Sequence, residues 1–279
     1  MKKTVQFLYR KVSMKREMCV AGLFYEADPA QLTQNMQDFF TGQKNEETTA
    51  ARICLLPHAG HIYSGKVTAE TLAKIVLPRK LIILCPNHTG LGKHGAVWDK
   101  GAFQTPLGDV PVAEDIAGEL LKTPCFCRDY QAHVREHSIE VILPFLQYRM
   151  GRDFEIIPVS LASLQNLSQM AEAITKCMQE NADLGLLISS DMNHFASEKE
   201  NKRKDFMALD AIRNMNEKQL LQVVMDNDIS MCGVLGAYIG ILAAKGLGLT
   251  HCELTSYDTS ACTSGDARRV VGYAGLYFV

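Results

Sequence analysis

The sequence lacks a basic stripe, a block of like charge, a low-complexity tract and any apolar run long enough to cross a bilayer. Lysine and arginine number 29 against 31 aspartates and glutamates in 279 residues, a formal charge of -2. Neutralising phosphates requires clustered cations, so a dedicated nucleic-acid binder is excluded. The longest apolar stretch, residues 231–244, is interrupted by glycines and falls short of the roughly 20 residues of a membrane span. It reads as a buried helix, and no membrane partner is expected. The nine cysteines are odd in number and form no CxxC pair, with Cys125 and Cys127 the nearest miss. That pattern excludes a secreted disulfide framework and a zinc ribbon, and points to reduced thiols and a cytoplasmic location. Residues 4–12 carry Gln6 and Arg10 rather than an apolar signal core, so export is not expected. Neither GxGxxG nor GxxxxGK[ST] occurs, which argues against a nucleotide site. No GxSxG occurs either, which leaves Ser189 and Ser190 poor candidates for a hydrolase nucleophile.

What the sequence does contain is a rhythm of short apolar runs and helical segments. Runs at 52–56, 80–85, 154–161 and 184–189 do not alternate polar with apolar, the signature of strands buried on both faces of a parallel sheet. Between them, helical spacing is found at 67–76, 113–121, 138–149 and 167–179, which implies βαβ crossovers. An earlier helix begins at Asp28-Pro29, a capping residue before a proline suited to the first turn, and stops at Gly42. Residues 43–50 read as a polar loop. Helices are expected at 198–213, 217–225 and 231–245, and late strands at 253–259 and 270–278. The fold class is therefore α/β, with a central, mainly parallel sheet flanked by helices. No linker rich in proline, glycine or serine divides the chain, so a single domain over residues 1–279 is expected.

Chemistry-bearing residues collect where those strands end. Pro57-His58-Ala59-Gly60-His61 follows the first run, Pro86-Asn87-His88-Thr89-Gly90 the second, and Ser190-Asp191-Met192-Asn193-His194 the fourth. Ligands of open parallel sheets bind outside the carboxyl ends of the strands, so the three loops should converge on one crevice. A single histidine after a buried strand is more often structural than functional, but three in register point to a shared site. Two neutral imidazoles with one anionic ligand and open positions form the facial arrangement of non-haem iron, and imidazole equally suits zinc and copper. Asp191, Cys262 and Asp266 are the candidate anions. Arg135-Glu136-His137-Ser138-Ile139-Glu140 forms a second constellation, in which His137 and Glu140 would orient a ligand or substrate. Ordinary helix capping by Ser138 and first-turn acids is the competing explanation there. Cys232-Gly233 opens the glycine-rich helix, where a thiol pKa can be lowered, although packing explains it as well.

These residues carry a resemblance to the Memo family, whose prokaryotic members are labelled AmmeMemoRadiSam system protein B and which is akin to class III extradiol dioxygenases. The matching motifs run from Val20-Ala21-Gly22-Leu23-Phe24-Tyr25 and Asp28-Pro29 through Pro57-His58-Ala59-Gly60, Tyr63-Ser64-Gly65, Pro86-Asn87-His88 and Thr105-Pro106-Leu107-Gly108. They continue with Glu136-His137-Ser138-Ile139-Glu140, Ser189-Ser190-Asp191, His194, Cys232-Gly233 and Val271-Gly272-Tyr273-Ala274. Residues 1–13, ahead of Met14, fall outside it as an N-terminal extension. The resemblance implies His58, His88 and His194 as site histidines, Asp191 as a site aspartate, and Cys262 at a position where members carry Asp or Cys. On this basis His58, His88 and Cys262 are the expected metal ligands. His194 is the expected acid/base, oriented by Asp191, with His137 and Glu140 behind the ligands.

The expected cofactor is a divalent metal, Fe(II) first, with copper or zinc also compatible. The expected activity is a dioxygenase-like oxidation of an unknown small-molecule substrate. A metal- or peptide-binding protein that keeps a former active site, and a metal-dependent hydrolase, are the two alternatives. The resemblance also implies a functional association with a radical SAM protein and an AMMECR1-type protein.

Overall fold

The computed structural model describes residues 14–43 and 48–279. The expectations for segment 4–12, for the 1–13 extension and for the middle of the 43–50 loop lie outside the described residues. The four apolar runs form strands Ile53–Leu56 (β1), Lys80–Pro86 (β2), Glu155–Leu161 (β3) and Leu184–Ser189 (β4). All four are parallel, in the spatial order β1-β4-β2-β3. Apart from Lys80 and Glu155 at their starts, all their residues are buried, which is why the runs show no alternation.

Two late strands, Cys252–Thr259 (β5) and Val270–Phe278 (β6), pair antiparallel, and β6 lies antiparallel against β1. The sheet is therefore mixed at that edge. At the other edge, the short strand Ala96–Val97 runs antiparallel to β3, and Cys127–Arg128 lies beyond it. His194–Ala196 pairs with the start of β6 through a register irregularity.

The helices are Pro29–Phe40 (α1), His61–Lys74 (α2), Glu114–Leu120 (α3), Leu143–Met150 (α4), Leu167–Glu180 (α5), Glu198–Arg213 (α6), Glu217–Asp226 (α7) and Val234–Gly246 (α8), with single turns at Gln131–Val134 and Ala261–Ser264. Asp28 caps α1 as its sequence implies, its Oδ1 accepting the Ala30 and Gln31 amides at 3.0 and 2.9 Å. The helix expected over 138–149 starts only at Leu143. Pro144 is the reason: its ring would clash with the Glu140 carbonyl in a continuous helix, whereas it suits a first turn. Ile75–Val76 leaves the end of α2 to pair with Thr49–Ala50, so the last residues of the expected loop are extended. β-branched residues ahead of Pro78 favour that conformation.

α8 lies close to the sheet because glycines face it. A Cβ on Gly240 would sit 2.3 Å from Ile188 Cδ1, and one on Gly236 would sit 3.1 Å from Ile188 Cγ2. Both glycines therefore admit close backbone approach rather than flexibility. No helix among the described residues is long and apolar enough to cross a membrane.

His61 opens α2 inside an aromatic cluster of Tyr25, Phe39 and Phe145. Its Nε2–H donates to the Val141 carbonyl at 2.8 Å, while its buried Nδ1 has no partner. Burial pushes its pKa down to about 4. An unfolded chain would protonate this ring near 6.5 while the native one stays neutral, so its stabilising contribution, complete above 6.5, is lost as the pH falls towards 4. His61→Phe should therefore flatten the pH dependence of unfolding free energy between pH 6 and 5 by about 1.4 kcal/mol per pH unit. Urea titrations of both proteins across that window test it, and parallel curves would refute it.

Candidate metal centre

Because β4 lies between β1 and β2, the loops leaving the three carboxyl ends are neighbours. His58, two residues past β1, and His88, two past β2, bring their rings within 5.2 Å of each other across the end of β4. The third member of the cluster is Cys232, just ahead of α8. Ligand atoms of His58, His88 and Cys232 all lie within 4.8 Å of one another.

Proton counting fixes the histidine tautomers. Ser189 at the end of β4 donates its single O–H to the Ser138 carbonyl at 2.8 Å, so its oxygen accepts from His58 Nδ1–H at 2.7 Å. His58 Nε2 then carries a lone pair and faces Cys232 Sγ at 3.3 Å. His88 Nδ1 lies 2.9 Å from Glu136 Oε1, and its backbone N–H donates to Oε2 at 2.7 Å. A carboxylate only accepts, so His88 also carries hydrogen on Nδ1 and offers Nε2. Burial raises the Glu136 pKa, but hydrogen bonds and charge from His88 outweigh it and hold the group at about 2. The same partner raises His88 against the opposing effect of burial. His58 is pushed well down by burial and by repulsion from His88 and His137, which keeps it a neutral donor.

Asp191 does not orient His194. Its Oδ1 accepts the His58 amide at 2.8 Å, while its own N–H points at Cys232 Sγ at 3.2 Å. It thus ties the β1 loop and Cys232 together. His194 is turned instead by Ser230, whose Oγ accepts the His194 amide at 2.8 Å and whose carbonyl accepts Nδ1–H at 2.9 Å. Burial raises the Asp191 pKa, and burial followed by the Asp191 charge raises that of the Cys232 thiol. The start of α8 therefore does not activate this thiol. Buried Asp191 and the half-buried Cys232 thiol beside two imidazole lone pairs form a donor set that a metal cation would satisfy, lowering both pKa values. One thiolate and two imidazoles fit Fe(II), Cu(I) or Zn(II).

Cys262, the expected third ligand, is exposed on the turn Ala261–Ser264, and the neighbouring Asp258 carboxylate pushes its thiol pKa up. That turn follows β5, which is separated from β1 by β6, so the residue is carried away from the histidines. Asp266 is half-buried and held by Arg268 at 2.8 and 2.9 Å, outside the cluster. Cys232 takes the place expected of Cys262. Its available signal was Gly233: a Cβ there would meet Ser190 Cβ at 2.4 Å and the Ser189 carbonyl at 2.6 Å, so only glycine lets the start of α8 close onto the end of β4.

The second constellation divides differently from its expected roles. Glu140 turns away from the ligands and holds the segment after Arg16, accepting the Cys19 and Val20 amides and Tyr25 O–H. Glu136 is the orienting carboxylate, and His137 stacks on His88 with ring centres 4.8 Å apart and meets His58 edge-on with ring centres 5.5 Å apart. His88, Glu136 and His137 also form a compact group. Near-parallel imidazoles, 23° apart, aim their in-plane lone pairs poorly at one ion, and Glu136 Oε1 already accepts from His88, Ser138 N–H and Ser138 O–H. That group serves as a hydrogen-bonded support. Glu136→Gln keeps the shape but loses the charge behind His88, and should weaken metal affinity by roughly 10- to 100-fold. Competition titration with a chromophoric chelator measures this, and an unchanged affinity would remove Glu136 from the centre.

The Memo-like protein family matches residues 16–277. A MEMO1 family protein of Aquifex aeolicus is 38% identical over 266 residues, covering 95% of this chain and 99% of its own. Relatives of the same description from Sulfolobus acidocaldarius, 38% identical over 283 residues with 95% and 99% covered, and Methanobrevibacter smithii, 37% identical over 282 residues with 95% and 100% covered, are similar throughout. With a match from one end of the described chain to the other, the protein belongs to the Memo-like family.

Proposed function

We propose that this chain is a metal-dependent oxidoreductase in which His58, His88 and Cys232 hold the ion. The observation that carries the reading is the pairing of two imidazoles, each with Nδ1–H used by a protein acceptor, with a half-buried thiol whose Sγ lies 3.3 Å from His58 Nε2 and within 4.8 Å of a ligand atom of His88. Bound there, Fe(II) or Cu(I) would supply redox chemistry towards dioxygen and a template for a small oxygen-bearing organic substrate. The protein's own residues supply the rest. Ser189 and Glu136 hold the ligand rings in one tautomer. Asp191 fixes the His58 loop through its backbone and provides the negative field that favours a cation. His194, with Nδ1–H held by Ser230, has Nε2 left to take a proton from a substrate hydroxyl or return one. His137, which stacks on His88, packs against Phe24 with ring centres 4.8 Å apart and so backs the ligand rings with apolar surface.

Metal analysis of protein purified without chelators, repeated after anaerobic Fe(II) or Cu(I) loading and followed by an oxygen-uptake screen with catechols, tests the reading. One ion per chain with substrate-dependent uptake supports it. An ion without uptake favours a binding role, and failure to bind any of these ions overturns the reading.

A further inference from the structure

We infer that Asn193 is the positioning residue for His194, acting through Ser230 from a buried hydrogen-bond chain anchored on Asp205. The inference rests on the reading of His194 as the proton-carrying group. Asn193 is buried between Asp191 and His194, and every polar group it owns is engaged. Its N–H donates to Asp205 Oδ1 at 2.7 Å and its carbonyl accepts Gly272 N–H at 3.0 Å. Its Nδ2 donates to Asn201 Oδ1 at 2.7 Å, and its Oδ1 accepts Ser230 N–H at 3.0 Å and Ser230 O–H at 3.3 Å.

The chain has a direction. Ionised Asp205 can only accept, so Asn201 must present Nδ2 to it, at 2.9 Å, which leaves Asn201 Oδ1 for Asn193. Asn193 must then turn its own Oδ1 to Ser230. Ser230 uses its one O–H on that oxygen, which leaves its lone pairs for the His194 amide and its carbonyl for Nδ1–H. Tyr257 O–H completes the anchor, donating to Asp205 Oδ2 at 2.7 Å. Gly272 makes room for it, since a Cβ there would stand 1.9 Å from Asp205 Oδ2. The carboxylate on α6 therefore orders the chain that holds Ser230 in place, and the Ser230 backbone carbonyl so positioned keeps His194 in its Nδ1–H form.

A second observation shows that the His194 turn needs holding. Phe195 has φ of +63°, the left-handed region that a bulky side chain rarely adopts, and it falls within the irregularity between His194 and Ala196. Arg269 lies over the Phe195 ring at 5.0 Å to its centre. Strained backbone beside a functional group persists only where its surroundings over-determine it. The Asn193 hub and the Arg269 contact supply that constraint.

Long-range proton–nitrogen imidazole spectra of chelator-treated protein at pH 7.5 test the inference, since this lies above the value of about 6 to which burial lifts the Asp205 carboxyl. Wild type and Ser230→Thr, which keeps the hydroxyl at an exposed position, should show His194 in the Nδ1–H form. Asn193→Ala and Ser230→Ala should lose that dominant signature to a mixture of tautomers. Both variants should still bind as much added Zn(II) as wild type, because His58, His88 and Cys232 are untouched. Wild-type His194 spectra in both folded alanine variants would overturn the proposal, as would loss of Zn(II) binding from Ser230→Ala. If Asn193→Ala does not fold, Ser230→Ala decides alone. If wild type fails to take Zn(II) while the tautomer shifts as expected, the positioning role stands and the metal-centre reading falls.

Discussion

Cys232→Ser should abolish tight binding of Cu(I) or Zn(II), a loss beyond the 10- to 100-fold expected for an outer partner, whereas Cys262→Ser should leave affinity unchanged. The reason is positional. Cys232 Sγ lies 3.3 Å from His58 Nε2, while Cys262 is exposed and outside the cluster. A hydroxyl does not ionise as a thiol does and is a harder donor, so the serine variant should discriminate most strongly against soft ions. Affinity should also fall at low pH in wild type, because metal binding requires the thiolate and releases its proton. Isothermal titration in two buffers of different ionisation enthalpy reads that proton. Equal affinities for wild type and Cys232→Ser would remove the thiol from the centre.

The second large effect concerns stability and lies away from the ligands. Arg16 and Glu140 form an ion pair with side-chain exposures of 1% and 0%. Glu140 also accepts Tyr25 O–H at 2.6 Å, the Cys19 amide at 2.9 Å and the Val20 amide at 3.0 Å. Arg16 adds bonds to the carbonyls of His133, at 3.0 Å, and of Glu136. Burial opposes the charged carboxylate of Glu140, but Arg16 and these donors outweigh it and hold the pKa below the usual value. Arg16→Met would leave the carboxylate buried without its counter-charge and should cost about 3 to 5 kcal/mol. Replacing both partners, as in Arg16→Met with Glu140→Leu, should recover part of that loss. Denaturant unfolding of the three proteins measures both effects, and a single-variant loss below about 1 kcal/mol would show that the pair is dispensable.

The contrast between Glu136 and Glu140 marks where sequence reading stops. Both sit in Arg135-Glu136-His137-Ser138-Ile139-Glu140, and regular helical spacing would have put Glu140 and His137 on one face. The segment is a series of turns ahead of Pro144, so that spacing does not apply, and Glu136 turns to His88 instead. The core strands were legible because burial on both faces removes alternation, and the histidines were legible because they follow strand ends. The strand order was not. Nothing local in residues 184–189 says that this strand inserts between the first two, yet that insertion makes the loops neighbours. The third ligand was hidden for a related reason. Nine cysteines offer little to distinguish them, and proximity to His58 depends on how the two helices after β4 return the chain to the sheet at the start of α8.

That return has a consequence for how the molecule comes apart. His58 and Cys232 meet across 174 positions of sequence, so an ion shared between them closes a loop spanning most of the chain. Unlike a covalent cross-link, it is lost when either end of the loop pulls away, so it would stabilise only by binding the folded chain. A partly folded chain with β1 and β2 in place but α8 undocked would hold only the two imidazoles and bind weakly. On the proposed reading, metal capture would be a late event in assembly and metal release an early one in disassembly. Saturating ion at one hundred times its Kd should add about 2.7 kcal/mol to unfolding. Thermal scans with and without chelator should separate accordingly for wild type and coincide for Cys232→Ser.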